Sequence, residues 1–154
     1  METHYTWQTK LFSTKFDIYE YEHLAGYLEK ERFSRKSSGE INGFRVMFIT
    51  KGFFKQTVQI ISTQDETEIG QIAFNFWKRK AFIKLNGREY VFSFNNFFMT
   101  YWGISDENEE LIKYHSKAFK GTIDSYSDNS VLVLTGLYVR NFFRRRQANS
   151  AAAS

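Results

Sequence analysis

The 154-residue chain contains no cysteine and no proline. Without thiols there is no disulfide framework, no thiolate metal site and no cysteine nucleophile. Average usage would place roughly eight prolines in a chain of this length, so their absence excludes proline-rich linkers and polyproline recognition segments. No apolar run reaches the roughly 18 residues that a membrane-crossing helix needs. The opening Met1-Glu-Thr-His-Tyr-Thr-Trp7 lacks the basic stretch and apolar core of a signal peptide. No Asn-x-Ser/Thr sequon occurs, and together these features favour a cytoplasmic setting.

Aromatic residues are abundant instead: 17 Phe, nine Tyr and three Trp, 19% of the chain. With 42% hydrophobic residues, that composition belongs to a folded chain rather than a disordered one, and its length suits one domain with its own core. Acid is missing from the C-terminal end. From Val131 to Ser154 the only charges are Arg140, Arg144, Arg145 and Arg146, which equal the whole formal excess of +4, so the remainder is balanced. A neutral body with one basic end lacks the basic face of a nucleic-acid-binding domain, and no nucleic-acid partner is expected.

From about Trp7 to Tyr126 short segments rich in Phe, Tyr, Ile, Val and Thr alternate with polar turns, the cadence of an antiparallel sandwich or barrel. Eleven strands can be delimited, among them Trp7–Phe12, Tyr27–Phe33, Phe53–Ser62, Gly70–Trp77 and Phe97–Ile104. Asn86-Gly87 is the favoured type I′ pair. It sets Lys84 opposite Glu89 and Ile83 opposite Tyr90. Aromatics at alternate positions (Phe44 and Phe48; Tyr90, Phe92 and Phe94) read as core. Lys30–Gly43 is the longest polar stretch and reads as an exposed loop. Residues 147–154 offer nothing to pack and read as a frayed tail.

Val131–Phe143 is apolar nearly all round. Asp128-Asn129-Ser130 supplies N-cap chemistry, and Arg144–Arg146 place cations where a helix C-terminus favours them. A strand competes, because Val131, Val133 and Val139 are β-branched, but length and end chemistry favour a helix over 131–146. Such a helix must be buried on every side. The economical site is the inside of a closed barrel with more than eight strands, since eight are filled by their own side chains. The expected fold is therefore mainly β: a closed antiparallel β-barrel of about 11–12 strands, one domain over 1–146, with the hydrophobic C-terminal helix in its interior.

Three elements carry a family resemblance: Ile60–Ile72 (strand, acidic turn, Gly, strand), the hairpin Lys80–Val91, and the terminal Ser130–Arg146. Together they resemble the tubby C-terminal-like superfamily, which includes LURP-one-related proteins and phospholipid scramblases. That resemblance implies a twelve-stranded barrel threaded by a hydrophobic C-terminal helix, acting without catalysis on anionic phospholipid or on a protein partner near membranes. Asp65-Glu66 stands where the family has an Asp-Gly turn, and no scramblase-like calcium segment is recognisable.

Other chemistries find no support. His4, His23 and His115 are far apart and no acidic turn has EF-hand spacing, so no metal or cofactor is expected. There is no G-x-S-x-G elbow and no P-loop, and an enzyme is not expected. Two basic clusters remain: Arg32, Arg35 and Lys36, and Lys78, Arg79 and Lys80 beside Trp77. Ordinary solvated loop charge accounts for each taken alone. Under the resemblance, they and Arg144, Arg145 and Arg146 are the candidate lipid-binding residues, because a headgroup site wants Lys and Arg at a barrel rim with an interfacial aromatic. A lipocalin-like or fatty-acid-binding-like carrier with an empty lumen is the alternative, and a structural protein-interaction module is a third reading.

Overall fold

Period-two alternation governs the strands, and it closes them on one another. The computed structural model describes residues 2–153. Twelve strands are followed by one helix: β1 (Thr3–Thr9), β2 (Lys15–Glu20), β3 (His23–Lys30), β4 (Lys36–Ile41), β5 (Phe44–Lys51), β6 (Thr57–Ser62), β7 (Thr67–Asn75), β8 (Lys80–Leu85), β9 (Arg88–Phe94), β10 (Tyr101–Ser105), β11 (Glu110–Lys117), β12 (Lys120–Ser125) and α1 (Ser130–Ala153). Each strand pairs with its sequence neighbours, and β1 pairs with β12 to complete a closed barrel with no free edge. The β8–β9 hairpin has the expected register, with Lys84 opposite Glu89 and Ile83 opposite Tyr90. Asn86 and Gly87 both take positive φ, as a type I′ turn requires.

Alternation sorts the side chains. In β8, Ala81, Ile83 and Leu85 point inward and are buried, while Lys80 and Lys84 face out. Lys113 stands on the outer face midway along β11, between inward Ile112 and Tyr114. The wall is thus apolar inside and mixed outside, where Phe82 lies half exposed between Lys80 and Lys84. Among the described residues no helix is long and apolar enough to cross a membrane.

The interior holds α1. Every residue from Val131 to Phe143 is buried. Asn129 Oδ1 accepts from the Val131 and Leu132 amides (3.0 and 3.3 Å) and caps the helix. Asn42, in the β4–β5 turn, donates to Ser130 Oγ at 3.0 Å and ties the helix start to the wall. At mid-height Trp102 and Tyr114 stack with ring centroids 5.3 Å apart. Trp102 Nε1 donates to the Gly136 carbonyl (3.2 Å), and the Tyr114 hydroxyl donates to that of Val133 (2.7 Å). Burial raises the Tyr114 pKa well above its usual value. Tyr138 stacks on Phe48 at 4.2 Å, and Phe142 on Phe74 at 4.4 Å.

The structure corrects three expectations. Lys30–Gly43 is not one loop, since it contains β4. The inward positions of β4 are Ser37, Gly39 and Ile41. A Cβ at Gly39 would run into the Leu134 side chain, so the helix occupies the space that large inward residues fill elsewhere. Second, residues 147–153 continue α1. With no Gly or Pro to stop it, a helix nucleated inside the barrel propagates into Gln147–Ala153, where alanine has the best propensity; Ser154 lies outside the described residues. Third, Phe44 is exposed at one rim rather than in the core, although Phe48, Tyr90 and Phe92 are buried as expected.

Gly136 tests the packing. A Cβ there would collide with the Tyr114 ring and hydroxyl. In a helix free of the barrel, Gly136→Ala would gain about 0.5–1 kcal/mol. Inside the barrel it overpacks and is expected to cost about 1–3 kcal/mol, read as a lower urea midpoint.

Candidate functional site

An up-and-down meander sends its connections alternately to the two ends of the barrel. The β1–β2, β3–β4, β5–β6, β7–β8, β9–β10 and β11–β12 turns gather at the mouth from which the helix C-terminus emerges. The other turns gather where α1 begins. The two mouths differ sharply in charge. Turns at the α1 exit contain Lys10, Arg32, Arg35, Lys55, Lys78 and Arg79 against one acid, Glu31, before Arg144–Arg146 are added. Turns at the α1 entry contain Glu22, Asp65-Glu66, three acids within Asp106–Glu109, and Asp128, with no basic residue. The balanced body is therefore a body polarised along its axis.

All ten candidate residues lie at the basic mouth. Arg32 and Arg35 are in the β3–β4 turn and Lys36 opens β4; Trp77, Lys78 and Arg79 form the β7–β8 turn and Lys80 opens β8. The helix end joins the two groups. The Arg146 guanidinium lies 3.7 Å from the Phe76 ring centroid, beside Trp77. On its other side an open cleft of about 500 Å³ is bounded by Lys30, Arg35, Arg145 and Arg146, over Tyr138 and Phe142, with no carboxylate in its lining. Burial, then the nearby Arg145 charge, lowers the Lys30 pKa. Burial likewise lowers that of Arg145, whose guanidinium lies 5.8 Å from the Phe142 ring. Rings also brace the rim arginines: Arg35 over Phe53 at 5.0 Å, and Arg79 over Phe94 at 5.0 Å. Lys30, Arg35 and Arg79 also donate to backbone carbonyls, but among the described residues none of these cations pairs with a carboxylate, and such a set suits phosphate or another oxyanion.

Below the rim, Arg140 is a further cation that the sequence did not mark as special. It is buried with its guanidinium 4.7 Å from the Trp102 ring, and donates to Ser116 Oγ (3.0 Å) and to the Met99 carbonyl (3.2 Å). Burial, and secondarily Arg144, pulls its pKa down to about 9, which leaves it charged at neutral pH. Its Nη1 and the neighbouring Trp7 Nε1 find no partner among the described residues.

The histidines stay apart. His4 is paired with Asp124 and His115 stacks on Tyr101 at 4.4 Å. Among the described residues no three His, Asp or Glu side chains are grouped as metal ligands.

Apart from Trp77, sequence reasoning missed the aromatics of this mouth, having run them into strands. The β1–β2 turn exposes Leu11 and Phe12, β3–β4 exposes Phe33, and β5–β6 exposes Phe53 and Phe54. Trp77, Phe97 with Phe98, and Phe119 tip the remaining three. A signal was present: in Gly52-Phe53-Phe54-Lys55 and Asn96-Phe97-Phe98 adjacent rings break the alternation, so they cannot both face a core.

Because no carboxylate among the described residues pairs with Arg140, its charge burdens the barrel interior. Arg140→Met is expected to leave the urea midpoint unchanged or raise it, by up to about 4 kcal/mol of stability. A lower midpoint would show that the cation itself holds the helix in place.

The chain matches no family model, no curated protein and no solved structure.

Proposed function

We propose that this chain is a non-enzymatic, tubby-like barrel that binds anionic phospholipid headgroups at the mouth where α1 emerges. The carrying observation is the axial separation of charge, with nearly all turn cations at one end and nearly all turn acids at the other. An anionic lipid surface attracts the first and repels the second, with about 1 kcal/mol gained per Lys or Arg brought near it. The cleft between Arg35 and Arg145–Arg146, with no carboxylate in its lining, offers a single phosphate several cations to bridge. α1 occupies the lumen that a lipocalin-like carrier would use, and a small ligand would be left the open cleft of about 1020 Å³ beside the start of α1.

Flotation with vesicles of phosphatidylcholine and phosphatidylserine tests this. The chain is expected to co-migrate at low salt and to partition less as salt rises. Reversing two exposed rim charges, Arg32→Glu with Lys78→Glu, should weaken partitioning at least about tenfold. Glu107→Gln at the opposite mouth should not weaken it. No co-migration at low salt would overturn the proposal.

A further inference from the structure

We infer that the basic mouth does not merely rest on a charged surface but inserts its six aromatic-tipped turns into the interfacial layer of an anionic bilayer. This rests on the headgroup reading above and goes beyond it.

Charge alone explains none of the apolar tips. Each of the six turns at this mouth carries one or two exposed large apolar side chains, and Phe33, Phe54 and Trp77 stand essentially fully in solvent. The turns at the acidic mouth are mostly polar pairs, Asn42-Gly43, Asp65-Glu66, Asn86-Gly87 and Asp106–Glu109, and the exposed rings within its turns, Tyr21 and Tyr126, both carry a hydroxyl. Two of the apolar tips are also held against backbone preference. Phe12 (φ 64°) and Phe33 (φ 56°) occupy the left-handed region, which Gly or Asn enters more readily. Tyr21 at the acidic mouth has the same conformation (φ 56°), so what sets the basic mouth apart is that its strained rings have no polar atom to offer water.

The arrangement selects the occupant. Six tips spread round a whole barrel mouth, interleaved with lysines and arginines, need one plane that accepts apolar groups and supplies anions at every point. The phosphate and upper acyl layer of an anionic bilayer is such a plane, and it favours aromatic rings beside basic residues. A second copy docked mouth to mouth would oppose like charges. Docked head to tail it would match charge, but six apolar tips would meet only Tyr21, Phe44 and Tyr126 among acidic and polar turns.

The tryptophans make the test direct. Trp7 and Trp102 are 1% and 0% exposed, whereas Trp77 is 95% exposed. Any change of indole emission on vesicle binding therefore reports Trp77. With vesicles of phosphatidylcholine and phosphatidylserine, emission of the native chain should shift to the blue, and brominated phosphatidylcholine should quench it. Binding should persist in part at about 1 M salt, where the Debye length falls to about 3 Å. The variant carrying F12N, F33N, F54S and F98S should bind at low salt within about threefold of the native chain. At high salt it should bind at least tenfold more weakly. Its urea midpoint should not fall, since asparagine relieves the left-handed positions.

Low-salt binding with unmoved Trp77 emission and complete release at high salt would overturn insertion while leaving headgroup binding intact. Absence of low-salt binding by the native chain would overturn both. A concentration-dependent rise in mass without vesicles, abolished in the variant, would show that the tips meet another copy and would overturn the inference.

Discussion

Val131–Phe143 has no polar face, and the fold follows from the need to cover it on all sides. One sheet face covers one stripe of a helix; only a closed wall covers the whole circumference. That demand explains a barrel wider than its own side chains would fill. It also explains the small inward residues of β4 and the glycine at 136, where Trp102 and Tyr114 reach the helix carbonyls. Asn129 and Asn42 fix the height at which the helix enters. Once α1 enters by one mouth it must leave by the other, and its arginine-rich end defines that mouth.

The same geometry turns a neutral sequence into a polar object. Basic and acidic turns alternate along the chain: Arg32 and Arg35 after Glu22, Lys78-Arg79 after Asp65-Glu66. In composition they cancel. A meander sends successive turns to opposite ends, so charges that alternate in sequence separate in space. Net charge says nothing of this, because it carries no information about which connections share an end.

Much of the architecture was legible in the sequence. Alternation in the Ile83/Tyr90 hairpin, the Asn-Gly turn, and an apolar run flanked by N-cap residues and arginines led to a barrel with a helix inside it. The missed strand, β4, has no alternation to read, because its inward positions include Ser37 and Gly39, and Gly39 gives way to Leu134 across a contact distant in sequence. The helical end at 147–153 was read from what it lacks to pack against, whereas helix propagation depends on what precedes it. For the site, basic residues were legible as three separate clusters, and only closure of the barrel places them on one rim. Phe12, Phe33 and Phe53 read as strand ends because aromatic residues favour strands. The structure places them in turns instead.

Hydrogen exchange read by mass spectrometry, with and without phosphatidylserine-containing vesicles, tests the central claim most directly. Protection should rise only in the turns around Phe12, Phe33, Phe53-Phe54, Trp77, Phe97-Phe98 and Phe119 and at the helix end around Arg144–Arg146. The acidic turns at Asp65-Glu66 and Asp106–Glu109 should exchange as they do in free protein. Protection at the acidic mouth, along the outer wall, or nowhere would contradict the assignment of the binding face.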